Sequence, residues 1–210
     1  MGDIERRTFG PCEIREVTED DAKGKKKGKV IQGYAAVFGV ESEDLGGFRE
    51  IIAPEAFDRA LKEKQDVRAL FNHNPDLVLG RTTADTLDLE ADDHGLQATI
   101  YPPDTQMARD LFESIRRGDI SGMSFAFRVP MGGDEWDEEG DTITRTVKDV
   151  DLLDVSPVAY PAYPQTEVSA RAMERANNFR ELAAAVRKAA AMSDTPFELN
   201  ELRQRLAEAD

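Results

Sequence analysis

The ten residues from Ile120 to Val129 alternate with a period of two. Met123, Phe125, Phe127 and Val129 fall on one side of a strand, and Gly122, Ser124, Ala126 and Arg128 on the other. The bulky apolar side has to be covered by a core. The opposite side sets two very small residues around a hydroxyl, which lets another chain approach the backbone closely. A serine in that setting is either a small strand filler or a nucleophile, and the pattern alone leaves both open. Ser121 points by parity into the core with Met123 and Phe125, and is the poorer nucleophile candidate.

The rest of the chain up to Val158 reads as further short strands separated by turn residues. Phe9–Val17 and Val30–Phe38 predict a hairpin across a Lys/Gly-rich loop. Strands are also expected at Phe48–Ile52, Val67–Asn72, Leu77–Arg81, Leu87–Ala91, Leu96–Tyr101, Thr142–Val147 and Val150–Val158. Asn74-Pro75-Asp76 reads as a turn, and Gly132–Asp141 as an acidic loop around Trp136. Pro54 opens one helix, to about Lys64, with Phe57, Ala60 and Leu61 facing inward. Asp104 is placed to cap a second helix, to Arg117, whose Met107, Leu111 and Ile115 recur every four residues and which Gly118 would close. Beyond Thr166 the composition shifts to Ala, Arg, Glu and Leu, good helix formers. Arg171–Met192 predicts a helix with Phe179, Leu182 and Val186 as its stripe. A capping box at Thr195–Glu198 starts another, to about Ala207. The tail's apolar stripe is thin and predicts weak anchoring. The fold class expected is mainly β with α (α+β): a closed or nearly closed β-barrel with helices outside, spanning residues 1–168, then a helical C-terminal tail over 169–210.

A chain of 210 residues suits one domain with an appendage, and 40% hydrophobic with 33% charged residues suits a soluble globular protein. No run approaches the ~18 apolar residues of a membrane span. The charged Met1–Thr8 segment predicts no secretion signal, and Arg6 stands where a myristoylation site needs Ser or Thr. A single cysteine, Cys12, excludes an internal disulfide and a cysteine-based zinc site, and fits a reducing cytoplasmic setting. A net charge of −15 argues against general nucleic-acid binding. The one basic run, Lys23 to Lys29, is either a solvated loop or a docking patch for an acidic partner.

There are two histidines. His94 sits in a turn among Asp92, Asp93 and Gly95, where solvation explains it. His73 ends a strand whose parity places it with Val67, Ala69 and Phe71. At the rim of an apolar face, a histidine is either a satisfied core group or a positioned base. A serine nucleophile needs a base, and the base gains from a third group that fixes its tautomer. Asp154 lies within the largely apolar Leu152–Val158, where an unpaired carboxylate is costly. It is either the partner of His73 or an edge charge facing water, with Asp151 in reserve.

Several segments, in order, resemble the tailed-phage prohead proteases, capsid-maturation serine proteases of the herpesvirus assemblin-like clan. They are Gly33-Tyr34-Ala35-Ala36-Val37-Phe38-Gly39; Ile52-Ala53-Pro54-Glu55-Ala56-Phe57; Val67 to His73 with Leu79-Gly80; Ser121-Gly122-Met123-Ser124-Phe125-Ala126-Phe127; Leu153-Asp154-Val155-Ser156-Pro157-Val158; and Pro161-Ala162-Tyr163-Pro164-Gln165-Thr166. Ala126 and Glu55 stand where the family often has Gly, and neither change removes a chemical group. The resemblance, over roughly residues 9 to 171, implies an assemblin-like barrel and a serine endopeptidase with Ser124 as nucleophile, His73 as base and Asp154 as third member. Backbone N–H groups, with Arg128 nearby, would stabilise the oxyanion. The resemblance further implies work in the host cytoplasm, inside the assembling prohead. The substrates would be the scaffold or the scaffold-like part of the major capsid protein, and the protease itself. Self-association is a further option, and no metal, cofactor, nucleic acid or membrane is called for. The tail would tether the protease to scaffold or capsid and then be cut away, or simply cover the barrel. A catalytically silent assembly protein on the same barrel is the competing expectation.

Overall fold

The computed structural model describes residues 3–17, 28–139, 142–159 and 170–191. The Lys23–Lys29 run, apart from its last two residues, and the expected final helix lie outside them. The strands are β1 (Glu5–Val17), β2 (Gly28–Val37), β3 (Arg49–Ile52), β4 (Arg68–Phe71), β5 (Asn74–Arg81), β6 (Leu87–Ala91), β7 (Gly95–Ile100), β8 (Gly122–Arg128), β9 (Asp134–Glu139), β10 (Thr142–Val147) and β11 (Asp151–Val158). The helices are α1 (Asp58–Lys62), α2 (Gln106–Arg117) and α3 (Ala170–Ala191). Among the described residues no helix is long and apolar enough to cross a membrane.

Eight strands form one sheet in the order β5-β4-β11-β8-β1-β2-β7-β6, and three form a second, β3-β10-β9. The α+β class is as expected, but the large sheet does not close. Among the described residues no ladder joins its edge strands, β5 and β6. These edges are nonetheless consecutive in the chain and linked by the short turn Thr82–Ala84. Thr86 N–H donates to the Arg81 carbonyl at 3.2 Å, and Arg81 N–H to Thr86 Oγ1 at 2.9 Å. Gly80 marks the seam: a Cβ there would lie 2.3 Å from the Thr86 carbonyl oxygen, so only glycine lets the two backbones pass this close.

The inward faces meet in one core. Phe57, Phe125 and Phe127 are fully buried, with Phe57 edge-on to Phe125 at 5.4 Å and Phe125 stacked on Phe127 at 4.7 Å. Each such side chain contributes about 1.5–3 kcal/mol by leaving water. Pro54–Phe57 is a 3-10 turn that leads into α1, burying Ala56, Phe57 and Ala60. Thr105, rather than Asp104, caps α2, accepting from Ala108 N–H, and Gly118 ends it at φ 80°. Ser121 is exposed ahead of β8 rather than in the core, because the strand starts one residue later.

Two turn assignments change. The strand after His73 begins at Asn74, so Asn74-Pro75-Asp76 lies in β5, an edge strand, where proline is tolerated. The stretch around Trp136 is β9, not a loop. Asp134 and Trp136 are buried while Glu135 and Asp137 are exposed. The buried aspartate hid that alternation from a hydropathy pattern.

α3 lies against the smaller sheet. Ala172, Ala176, Phe179 and Ala183 pack with Leu45, Phe48, Trp136 and Ile143. Three of the four inward positions are alanine, so the stripe looks thin in sequence, yet small side chains let the helix approach closely. Leu182 and Val186, expected inside, are half-buried.

Candidate active site

β8 has apolar cover on one side, and Ser124 projects from the other. In the ladders on either side, Ser124 stands opposite Thr8 of β1 and Ser156 of β11. Both ladder neighbours are small hydroxyl residues, and the space around the strand is tight. A Cβ on Gly122 would already press on Val158 and Thr8 at 3.3 and 3.4 Å.

His73 is delivered by a tight turn. Phe71 pairs with Asn74, leaving Asn72 and His73 as a two-residue loop between β4 and β5. Both have positive φ, 53° and 54°, as a type I′ turn requires. Asparagine and histidine are among the non-glycine residues that tolerate this region best. Strand parity therefore does not apply to His73, because the left-handed pair lifts it off the face of Phe71. β11 holds the turn in place. Asn72 N–H donates to the Pro157 carbonyl at 3.0 Å, Ala159 N–H to Asn72 Oδ1 at 2.9 Å, and His73 N–H to Ser156 Oγ at 3.3 Å.

The three candidate side chains converge. His73 Nε2 lies 2.7 Å from Ser124 Oγ, and His73 Nδ1 lies 2.6 Å from Asp154 Oδ1. Ser124 is 1% exposed and Asp154 8%. Burial of the carboxylate is offset by its bonds to His73 and to Ser156 Oγ, the latter at 2.8 Å. The Ser124 hydroxyl has a second acceptor, the Arg7 carbonyl oxygen at 2.8 Å. With a neutral imidazole protonated at Nδ1, the serine proton goes to Nε2. With an imidazolium, Nε2 donates to Oγ and the serine proton turns to the Arg7 carbonyl oxygen.

The other sequence candidates lie elsewhere. His94 is in an exposed turn, its N–H donating to Asp92 Oδ1 at 2.8 Å and its ring against Tyr34. Asp151 is bound by Arg59 Nη2 at 2.8 Å. Arg128 stands at the far end of β8, opposite Asp151. Among the described residues no cluster of His, Cys, Asp or Glu is arranged to hold a metal. Two large hollows, about 750 Å³ beside Leu61, Thr82 and Leu87 and about 1160 Å³ between α2 and β5, are both away from Ser124.

Sequence reasoning missed Ser156, the Asn72-His73 turn and a buried ionic cluster behind β1. There Arg7 bonds Glu5 and Glu50, Arg145 bonds Glu5, Glu50 and Asp134, and Arg175 of α3 reaches Asp134 at 2.5 Å. Burial opposes charge on Glu5, but Arg145 and Arg7 outweigh it and hold its carboxyl below the ordinary range. The cluster joins the strand that carries the Arg7 carbonyl to the smaller sheet and to α3.

A serine, a histidine and a buried carboxylate in hydrogen-bond sequence form the arrangement of a serine hydrolase. The protein class is narrower than that: the family model of the caudovirus prohead serine proteases matches residues 13–179, and the chain belongs to that family of serine proteases. The fold is similar to that of the capsid assembly protease gp21 of bacteriophage T4. The TM-score is 0.51 at 17% identity, over 75% of this chain and 98% of that one. None of the curated proteins matches the sequence significantly.

Proposed function

We propose that Ser124, His73 and Asp154 are the catalytic residues of an endopeptidase that cleaves scaffold, or the scaffold-like part of the capsid protein, inside the prohead. The observation that carries this reading is the unbroken path Asp154–His73–Ser124, with links of 2.6 and 2.7 Å. His73 Nε2 takes the Ser124 proton as Oγ bonds to the scissile carbonyl carbon. Asp154 keeps the proton on Nδ1 and stabilises the imidazolium that forms. That proton then passes to the leaving amine as the C–N bond breaks, giving an acyl-enzyme. Water, deprotonated by His73, releases the second product. Backbone N–H groups stabilise the oxyanion. Residues 1–168 form the protease unit. The tail from 169 tethers it to scaffold or capsid subunits and is removed by self-cleavage. Confinement within the shell raises the local substrate concentration, so weak binding suffices.

The test is co-expression of the protease, wild type or Ser124→Ala, with its cognate capsid protein, followed by intact-mass measurement of both chains. Shortened capsid or scaffold products with wild type alone support the reading. Identical intact products with both overturn it.

A further inference from the structure

We propose that Ser156 is a positioning residue, acting through Asp154 and the backbone of His73; the inference rests on the catalytic reading above. Ser156 is opposite Ser124 in the β8–β11 ladder and is 0% exposed. Its hydroxyl proton goes to Asp154 Oδ1 at 2.8 Å, the same oxygen that faces His73 Nδ1 at 2.6 Å. Its oxygen accepts the backbone N–H of His73 at 3.3 Å and lies 3.3 Å from His73 Nδ1.

One buried hydroxyl therefore fixes two things at once. It sets the rotation of the Asp154 carboxylate, which would otherwise have Nδ1–H alone to orient Oδ1. It also anchors the left-handed residue that carries the imidazole. A residue with no exposed surface has no water to take over either bond. Ser156→Ala leaves the His73 N–H without this acceptor and the carboxylate with one donor fewer at the oxygen that orients the base. The ring then samples orientations in which Nε2 is not aimed at Ser124. The loss falls on the chemical step rather than on substrate binding.

A fluorophosphonate probe tests this without a known peptide substrate. Ser124 Oγ would form a bond to phosphorus, fluoride would leave and the serine proton would pass to His73. The second-order labelling rate is followed by intact mass on the full chain for wild type, Ser156→Ala, Asp154→Asn and the double variant, with circular dichroism as the check on folding. Ser156→Ala is expected to label about tenfold to a hundredfold more slowly, the scale of a lost charge-assisted hydrogen bond. On the Asp154→Asn background the same change is expected to cost several-fold less than it does in the wild type, because the route through the carboxylate is already broken and only the anchor on the His73 N–H is left to lose. Ser156→Cys, close in volume but a weak donor, is expected to slow labelling in the same direction, and it decides the matter if the alanine variant does not fold. Wild-type rates in the folded Ser156 variants, or fully additive losses in the double variant, overturn the inference. If Asp154→Asn itself labels at the wild-type rate, the catalytic reading fails instead.

Discussion

Arg59 of α1 holds Asp151 by an Nη2–Oδ1 bond of 2.8 Å, which commits that carboxylate to a site other than His73. The same guanidinium binds Asp149 through Nε at 3.0 and 2.8 Å and the Val150 carbonyl at 3.1 Å. Bonds to Asp149, then to Asp151, raise the Arg59 pKa further above its ordinary value. Asp151 and Asp154 are three residues apart on one strand, and a bulge between Leu152 and Asp154 separates their surroundings. Asp151→Asn is expected to change capsid cleavage less than about threefold and stability by under about 1 kcal/mol, as for a half-exposed ion pair. Asp154→Asn is expected to slow cleavage about 10³–10⁴-fold with the fold intact, because the amide stabilises the wrong imidazole tautomer. Cleavage rates of the two variants, side by side, decide between the carboxylates.

The Asn72-His73 turn predicts a separation of stability from activity. Asn72→Gly keeps the positive φ but loses the bond to Ala159 N–H. Its urea midpoint should correspond to a loss of no more than about 1 kcal/mol, while cleavage falls about three- to tenfold as β11 loosens its hold on the turn. Asn72→Ala, with a Cβ in a left-handed conformation, should be less stable than Asn72→Gly by about 1–2 kcal/mol.

The ionic cluster behind β1 makes stability depend on acid. The Glu5 carboxyl is held below its ordinary value of 4.5 by Arg145 and Arg7 against the opposing effect of burial. A folded-state pKa below the unfolded one means that this contribution is complete above about pH 4.5 and is lost as pH falls through the lower folded value. Urea midpoints should therefore decline below about pH 4.5. Arg145→Leu removes the partner shared by Glu5, Glu50 and Asp134 and should cost about 3–5 kcal/mol at pH 7. Its midpoints should also fall less steeply with acid than those of the wild type.

Phe179 anchors α3 among Phe48, Trp136 and Ile143. Phe179→Ala should open a cavity whose cost, about 3–5 kcal/mol for such a site, is capped by undocking of the helix. Limited proteolysis should then cut faster within 170–191. On the proposed boundary, with the protease unit ending at residue 168, the fluorophosphonate labelling rate should stay within about twofold of wild type. A parallel collapse of labelling would place α3 inside the catalytic unit.

Much of this was readable from residue order because it depends on local periodicity. Among the described residues most strands and the helices α1, α2 and α3 follow apolar spacing, proline or glycine signals. Ser124 and Asp154 lie inside apolar strands and His73 follows the end of one, so the pattern leaves each open between a structural and a chemical role, and the ordered family segments are needed to single them out. Other features depend on tertiary pairing and have no local signature. Asp134 looks like one more charge in an acidic stretch until Arg145 and Arg175 neutralise it and make β9 a half-buried strand. Glu5, Glu50 and Arg145 are spread across the sequence and each reads as a surface charge, yet they share one buried site. Ser156 is silent because a hydroxyl inside an apolar strand resembles a filler until its neighbours are known. The type I′ turn was missed because Pro75 draws the turn signal two residues too far along, and because glycine, the usual mark of such a turn, is absent.

Ser124 is tested most directly as the nucleophile by reacting the wild-type protein with a fluorophosphonate and locating the adduct by peptide mapping, with His73→Ala in parallel. A single adduct on Ser124 is expected, with a labelling rate at least about 10³-fold lower without the imidazole. An adduct on another serine, or undiminished labelling of Ser124 in a folded His73→Ala protein, would contradict it.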